Sequence, residues 1–128
     1  MARTNELNKV IMTRLGSMRQ RFNLQLDSIA YKHIDTAMMY PHIVFEYSTR
    51  TPTDMGREDY TLDFHVWTKS QAQAFDIADA IIDLFSFRND PQDTILPTFY
   101  FESEGEVEDP DKTICHQVVR FTTQNYTR

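Results

Sequence analysis

A chain of 128 residues with 41% hydrophobic and 12% aromatic content is long enough to bury one core and too apolar for a disordered segment. Its net charge of -6 argues against a protein built to grip nucleic acid, because neutralising phosphates takes clustered Lys and Arg. Apolar runs stay far below the roughly 20 residues of a membrane span, and the single cysteine, Cys115, excludes an internal disulfide and a CxxC motif.

The opening residues, MARTNELNK, are polar and hold no apolar signal-peptide core, so synthesis in a cytoplasm is expected. Thr4 or Asn5 can cap a helix whose Leu7, Val10, Ile11 and Leu15 share one face. Gly16 can end that helix; alternatively, Met18 and Phe22 extend the same stripe. Residues 28–33 read as a short strand. Tyr40-Pro41 then introduces a stronger one, in which Ile43, Phe45 and Tyr47 alternate with His42 and Glu46. Pro41 lacks a ladder donor and belongs at the strand's start or on an edge. Residues 49–59, TRTPTDMGRED, read as a polar hairpin loop, longer than a connection needs and therefore a functional candidate.

Residues 60–85, YTLDFHVWTKSQAQAFDIADAIIDLF, place a strand, a short joint and a helix in succession. Tyr60, Leu62, Phe64 and Val66 alternate with Thr61, Asp63 and His65, the period of a strand with one dry face. Ser70 and Gln73 form a capping box, and Ala74, Phe75, Ala78, Ile81, Ile82 and Phe85 recur at the spacing of a buried helical stripe. Asp76, Asp79 and Asp83 line a separate acidic stripe. A carboxylate in the last turn opposes the helix dipole at a cost of about 0.3–1 kcal/mol.

Residues 88–97, with Asn89-Asp90-Pro91 and Pro97, read as a loop, and residues 98–103 as a strand with Phe99 and Phe101 on one face. An acidic hairpin turn, EGEVEDPD, is expected at 104–111. The last strand follows at 112–123, with Cys115, Val119 and Phe121 on one side. The order is α-β-β-β-α-β-β in a single domain over 1–128: an α+β fold with two helices packed on one face of a largely antiparallel sheet.

Chemical signatures are sparse. His33, His42, His65 and His116 lie in strands or at their ends without the paired spacing of zinc ligands, so structural or surface roles are expected for all four. Segment 102–111 lacks the D-x-D-x-D-G order and distal Glu of an EF-hand, which favours a solvated loop over a calcium site. Ser70 reads as a helix cap rather than a nucleophile, and three unclustered glycines exclude a P-loop and a dinucleotide fingerprint. No catalytic residue, metal or cofactor is expected, and the chain reads as a non-enzyme.

Charge is unevenly spread. Residues 1–32 hold six basic and two acidic side chains, a net of +4, whereas 33–128 hold seven basic and seventeen acidic, a net of -10. That complementarity can be satisfied within the fold or between identical copies packed head to tail. The aspartate stripe reads first as a solvated polar face; Arg14, Arg19 or Arg21 of a neighbouring copy against Asp76, Asp79 and Asp83 is the candidate subunit contact.

Thr61-Leu62-Asp63-Phe64-His65-Val66-Trp67 leading into residues 74–84, the strand Tyr40-Pro41-His42-Ile43-Val44-Phe45, and Asp109-Pro110-Asp111 followed by His116-Gln117-Val118-Val119-Arg120-Phe121 together resemble a known family. They are similar to the strand-into-helix core, the "YPyvv" strand and the last hairpin of the phage tail-terminator proteins, also called tail-completion or head-to-tail joining proteins, of long-tailed phages and prophages. The chain departs from that pattern after Leu15-Gly16, where residues 17–27 form an extra stretch. The resemblance implies a small α+β subunit of a ring, commonly a hexamer, that caps the finished tail tube. It also implies contacts with the major tail-tube protein and with a head-completion or stopper protein, at the tail neck of a virion assembled in the host cytoplasm.

In such a ring genome DNA passes through the bore without specific binding, and an acidic chain offers it few phosphate anchors. Thr49, Arg50, Asp54 and Arg57 of the long loop and Glu104, Glu106 and Glu108 of the acidic turn are the candidate bore or docking residues. Another neck component, a stopper or connector, fits the same size and class. From a different class, a small cytoplasmic enzyme or ligand-binding module would place its pocket between helix and sheet.

Overall fold

The computed structural model describes residues 3–24, 29–31, 40–52, 57–85 and 98–126. In chain order these form α1 (Arg3–Gly16), α2 (Arg19–Phe22), β1 (Ile29–Tyr31), β2 (His42–Pro52), β3 (Arg57–Thr68), α3 (Gln71–Phe85), β4 (Thr98–Val107) and β5 (Cys115–Tyr126). The strands make one sheet ordered β1-β2-β3-β5-β4. Every pairing is antiparallel except that of β1 with β2. The α+β class and the α-β-β-β-α-β-β order expected from the sequence are present, with α2 a single turn appended to α1.

Alternation in β3 sets the whole core. Its register pairs Phe64 with Phe45 of β2 and with Val119 of β5, and Leu62 with Tyr47 and Phe121, so apolar side chains of three strands share one face. Helix α3 lays Phe85 on that face, with ring centroids 4.9 Å from Phe64, 5.1 Å from Phe99 and 6.1 Å from Phe121. From α1, Leu7, Val10, Ile11 and Leu15 join the same cluster. The Tyr47 hydroxyl of β2 donates to Asn8 Oδ1 of α1, and burial, reinforced by Tyr31 and Tyr60, pushes that phenol's pKa above its ordinary value. It stays a protonated donor.

The helix-end question left open by Gly16 resolves into both parts. Helix α1 stops at Gly16, with Ser17 N–H bonded to Arg14 O and Met18 N–H to Leu15 O, the tight three-residue spacing of a terminating turn. One further turn then seats Met18 and Leu24 in the core. Asn23 closes it at φ 53, a left-handed position that Asn tolerates.

Three expectations need correction. The segment 49–59 is mostly strand rather than loop: Thr49 pairs with Thr61, Arg50 with Tyr60, Thr51 with Asp59 and Pro52 with Glu58. β-Branched threonines favour an extended ladder, and Pro52 takes the last position of β2, where a missing donor disturbs the ladder least. The acidic turn is likewise shorter, because Glu104, Gly105, Glu106 and Val107 pair with Val119, Val118, Gln117 and His116. Finally, Phe75 lies outside the buried stripe at 43% exposure, and Ile77 and Ala80 take its place beside Ala74, Ala78, Ile81 and Phe85. At about 100° per residue the stripe centres on 74, 78, 81 and 85, which leaves 75 past its edge. The loop expected at 88–97 lies outside the described residues.

Candidate functional site: the polar face of the sheet

The face turned away from the helices carries the polar half of each strand's alternation. Glu46 of β2 stands directly opposite Asp63 of β3, Asp63 opposite Arg120 of β5, and Trp67 opposite both His42 and His116. Strand pairing thereby collects residues from three separate parts of the chain. Trp67 stacks on His116 at 4.1 Å and 20°, on His42 at 5.2 Å and 28°, and on His65 at 5.5 Å and 20°. The result is an aromatic row flanked by ionisable groups.

Within it, His65 has both ring nitrogens engaged. Its Nε2 lies 3.1 Å from Glu46 Oε1 and its Nδ1 lies 2.9 Å from His116 Nε2. A carboxylate only accepts, so His65 carries a proton on Nε2; in the neutral form of His65 its Nδ1 then accepts and His116 Nε2–H donates. Burial first, and the neighbouring His65 second, push the His116 pKa from 6.5 down to about 4, against a weaker opposing pull from Asp109. His116 is therefore a neutral ring at physiological pH. Beside this chain of bonds, Arg120 grips the buried Asp63 through Nε–Oδ1 at 2.7 Å and Nη2–Oδ2 at 3.2 Å.

The relay Glu46–His65–His116 can orient a proton, and both nitrogens of His65 are taken up within it. What the face can hold is a cation: one ligand atom each from Glu46, Asp63 and His65 lies within 4.8 Å of the others. A cleft of about 380 Å³, lined by Asp63, His65, Ser103, Gly105, Val118 and Arg120 among others, opens beside them. The helix–sheet interface, where a ligand-binding module would need its pocket, is instead filled by fully buried Phe45, Phe64, Phe85, Phe99 and Phe121.

Sequence reasoning placed His65 and Asp63 on the polar alternation of β3 but missed their grouping with Glu46, His116 and Arg120. No spacing along the chain encodes a register between strands. The usable signal was the parity of positions 46, 63, 65, 67, 116 and 120 within their strands, and it becomes informative only once β5 is known to lie beside β3.

Residues expected at subunit contacts and bore loops fall as follows. Asp76, Asp79 and Asp83 are exposed along α3 beside the exposed Phe75. Arg14 is committed within its own subunit, its guanidinium 5.7 Å above the Phe85 ring and 5.1 Å above Phe99. Arg19 is half-buried, and the Arg21 side chain lies outside the described residues. Thr49 and Arg50 sit in the β2–β3 ladder, where Thr49 hydroxyl meets Thr61 hydroxyl at 2.8 Å and Arg50 lies over Tyr60, and Arg57 sits in the β3–β5 ladder opposite Tyr126. Asp54 lies outside the described residues. Glu104 accepts from Gln117 Nε2 at 2.7 Å, Glu106 is exposed on β4, and Glu108 pairs with Lys112 at 2.7 Å. The turn that follows is closed by Asp109 and Asp111 accepting the N–H groups of Asp111 and Thr113.

No family model matches the sequence, and no curated protein matches it. The fold is similar to that of a chain in the solved structure of the virion of a native gene transfer agent (GTA) particle, with a TM-score of 0.58 and 10% identity over 77% of this chain and 78% of that one. At that identity the likeness is one of fold.

Proposed function

We propose that this chain is a structural subunit of a phage-type virion, and specifically a tail terminator that closes into a ring on the end of the tail tube and receives the head-completion complex. The observation that carries this reading is the fold likeness to a virion chain, spanning more than three quarters of both partners. It joins the resemblance of the Tyr40 strand, the Thr61–Trp67 strand with its helix, and the last hairpin to the tail-terminator family. Neither depends on the other.

Physical features of the surface support the same reading. A ring is built from one heterologous contact repeated, so each subunit needs two different complementary patches. The outer side of α3 supplies one, an apolar Phe75 beside three aspartates; the basic N-terminal segment supplies the other. The β2–β3 hairpin is paired out to Pro52 and Glu58 and gives each subunit a ladder long enough to reach a bore or a docking face.

The decisive experiment is sedimentation and negative-stain electron microscopy of the purified chain, alone and with a phage tail-tube protein. Closed rings, or rings formed on tube ends, are the expected result. A chain that stays monomeric at high concentration and ignores tube protein overturns the reading.

A further inference from the structure

We propose that Glu46, Asp63 and His65 form a binding site for one first-row divalent cation of the zinc type, with His116 and Arg120 as its supporting shell. The inference rests on the polar face of the sheet and is independent of ring assembly.

Two carboxylates directly opposite each other on neighbouring strands repel, an arrangement that costs stability unless a cation sits between or beside them. Arg120 is paired with Asp63, whereas the Glu46 carboxylate meets the His65 imidazole at 3.1 Å. That separation is close to the edge of a tetrahedron around zinc, roughly 3.3 Å for bonds of about 2.0–2.1 Å. The third donor, Asp63, is within 4.8 Å; each of its oxygens takes one arm of the Arg120 fork and keeps a further lone pair for an ion. An imidazole combined with two carboxylates favours zinc-type ions over calcium or magnesium, which prefer all-oxygen sets.

The outer contacts are already those a bound ion would use. A histidine that ligates through one nitrogen normally donates its other N–H to a fixed acceptor. His116 Nε2 stands 2.9 Å from His65 Nδ1. On binding, the His65 proton moves from Nε2 to Nδ1 and the hydrogen bond to His116 reverses direction, with His116 shifting its own proton to Nδ1. The Glu46–His65 edge already has the right length, and the Asp63 carboxylate, within 4.8 Å, closes on the ion by a small side-chain rotation. The neighbouring cleft lined by Ser103 and Gly105 gives the ion a way in and leaves room for water as its fourth ligand. Strand β3, which carries two of the three donors, is paired along both edges, so the site is built on the stiffest part of the sheet.

The test uses tag-free full-length chain stripped with chelator. Zn²⁺ is titrated by calorimetry and Co²⁺ by visible absorption. One ion per chain, with the intense absorption of a four-coordinate cobalt centre, is the expected result. Glu46→Gln and His65→Gln should each weaken binding about 100-fold, and His116→Phe about tenfold. Absence of saturable binding overturns the proposal, as does binding that neither ligand variant weakens. Should His65→Gln fail to fold, the half-exposed Glu46→Gln variant, confirmed folded by circular dichroism, decides alone.

Discussion

Arg120 of β5 holds Asp63 of β3 with both arms of its guanidinium, Nε on Oδ1 at 2.7 Å and Nη2 on Oδ2 at 3.2 Å. Asp63 is only 5% exposed and stands opposite Glu46, so its charge has one strong compensating partner and one like-charged neighbour. Arg120→Met should therefore cost about 1–3 kcal/mol in urea unfolding, the penalty of a buried carboxylate left uncompensated. The double variant Asp63→Leu/Arg120→Met should recover most of that loss, since both charges leave together. A double variant less stable than the single one would show that the pair contributes net stability.

His116 gives metal-free protein a defined pH dependence. Its folded pKa of about 4 lies below the ordinary 6.5, so between those values the unfolded chain binds a proton that the folded ring refuses. Stability should be level above about pH 6.5, fall as pH drops toward 4, and gain no further slope from this group below that. Because the ring is only half-buried, the loss is about 1–2 kcal/mol rather than the full value of the shift. Denaturant unfolding in chelator across this window measures it. His116→Phe, which keeps the stack on Trp67, should flatten the curve; an unchanged slope would assign the titration elsewhere.

Single-strand patterning made the core legible because burial imposes period 2 on β3 and a stripe on α3, and both can be read without knowing any neighbour. Even there the helix frame slipped at Phe75, since an aromatic side chain at a stripe's edge looks apolar in the sequence while its position points it to solvent. Strand length was misjudged at Thr49 and Glu104 for the opposite reason: polar residues extend a ladder beyond the core, and hydrophobicity carries no record of that. The Glu46–His65–His116 constellation depends on β5 lying between β3 and β4. That order is set by the α3 crossover and is invisible in local pattern.

The slip at Phe75 yields a sharp contrast. Phe64→Ala removes a ring packed on Phe45, Phe85 and Phe121 and should cost about 3–5 kcal/mol by thermal or urea unfolding. Phe75→Ser should change monomer stability by less than about 0.5 kcal/mol. If α3 meets the next subunit, the same Phe75 variant should still weaken self-association in sedimentation experiments. Loss of fold in Phe75→Ser would mean that the ring is covered within its own subunit.

Reversing the aspartates of α3 tests the electrostatic half of that contact. Asp76, Asp79 and Asp83 are exposed along one side of the helix, and the first 32 residues carry a net of +4. Arg14 already rests on Phe85 and Phe99, while Lys9 is exposed on α1. Each exposed pair contributes well under about 1 kcal/mol, so single changes should be silent and only the triple Asp→Lys variant should dissociate the assembly. Repulsion between like charges is screened by salt, with a Debye length of about 10 Å at 0.1 M falling to about 3 Å at 1 M. The triple variant should therefore regain part of its association as salt rises, while the parent chain loses some. Equal oligomer size for both chains at every salt concentration would remove α3 from the subunit contact and leave the β2–β3 hairpin as the next surface to change.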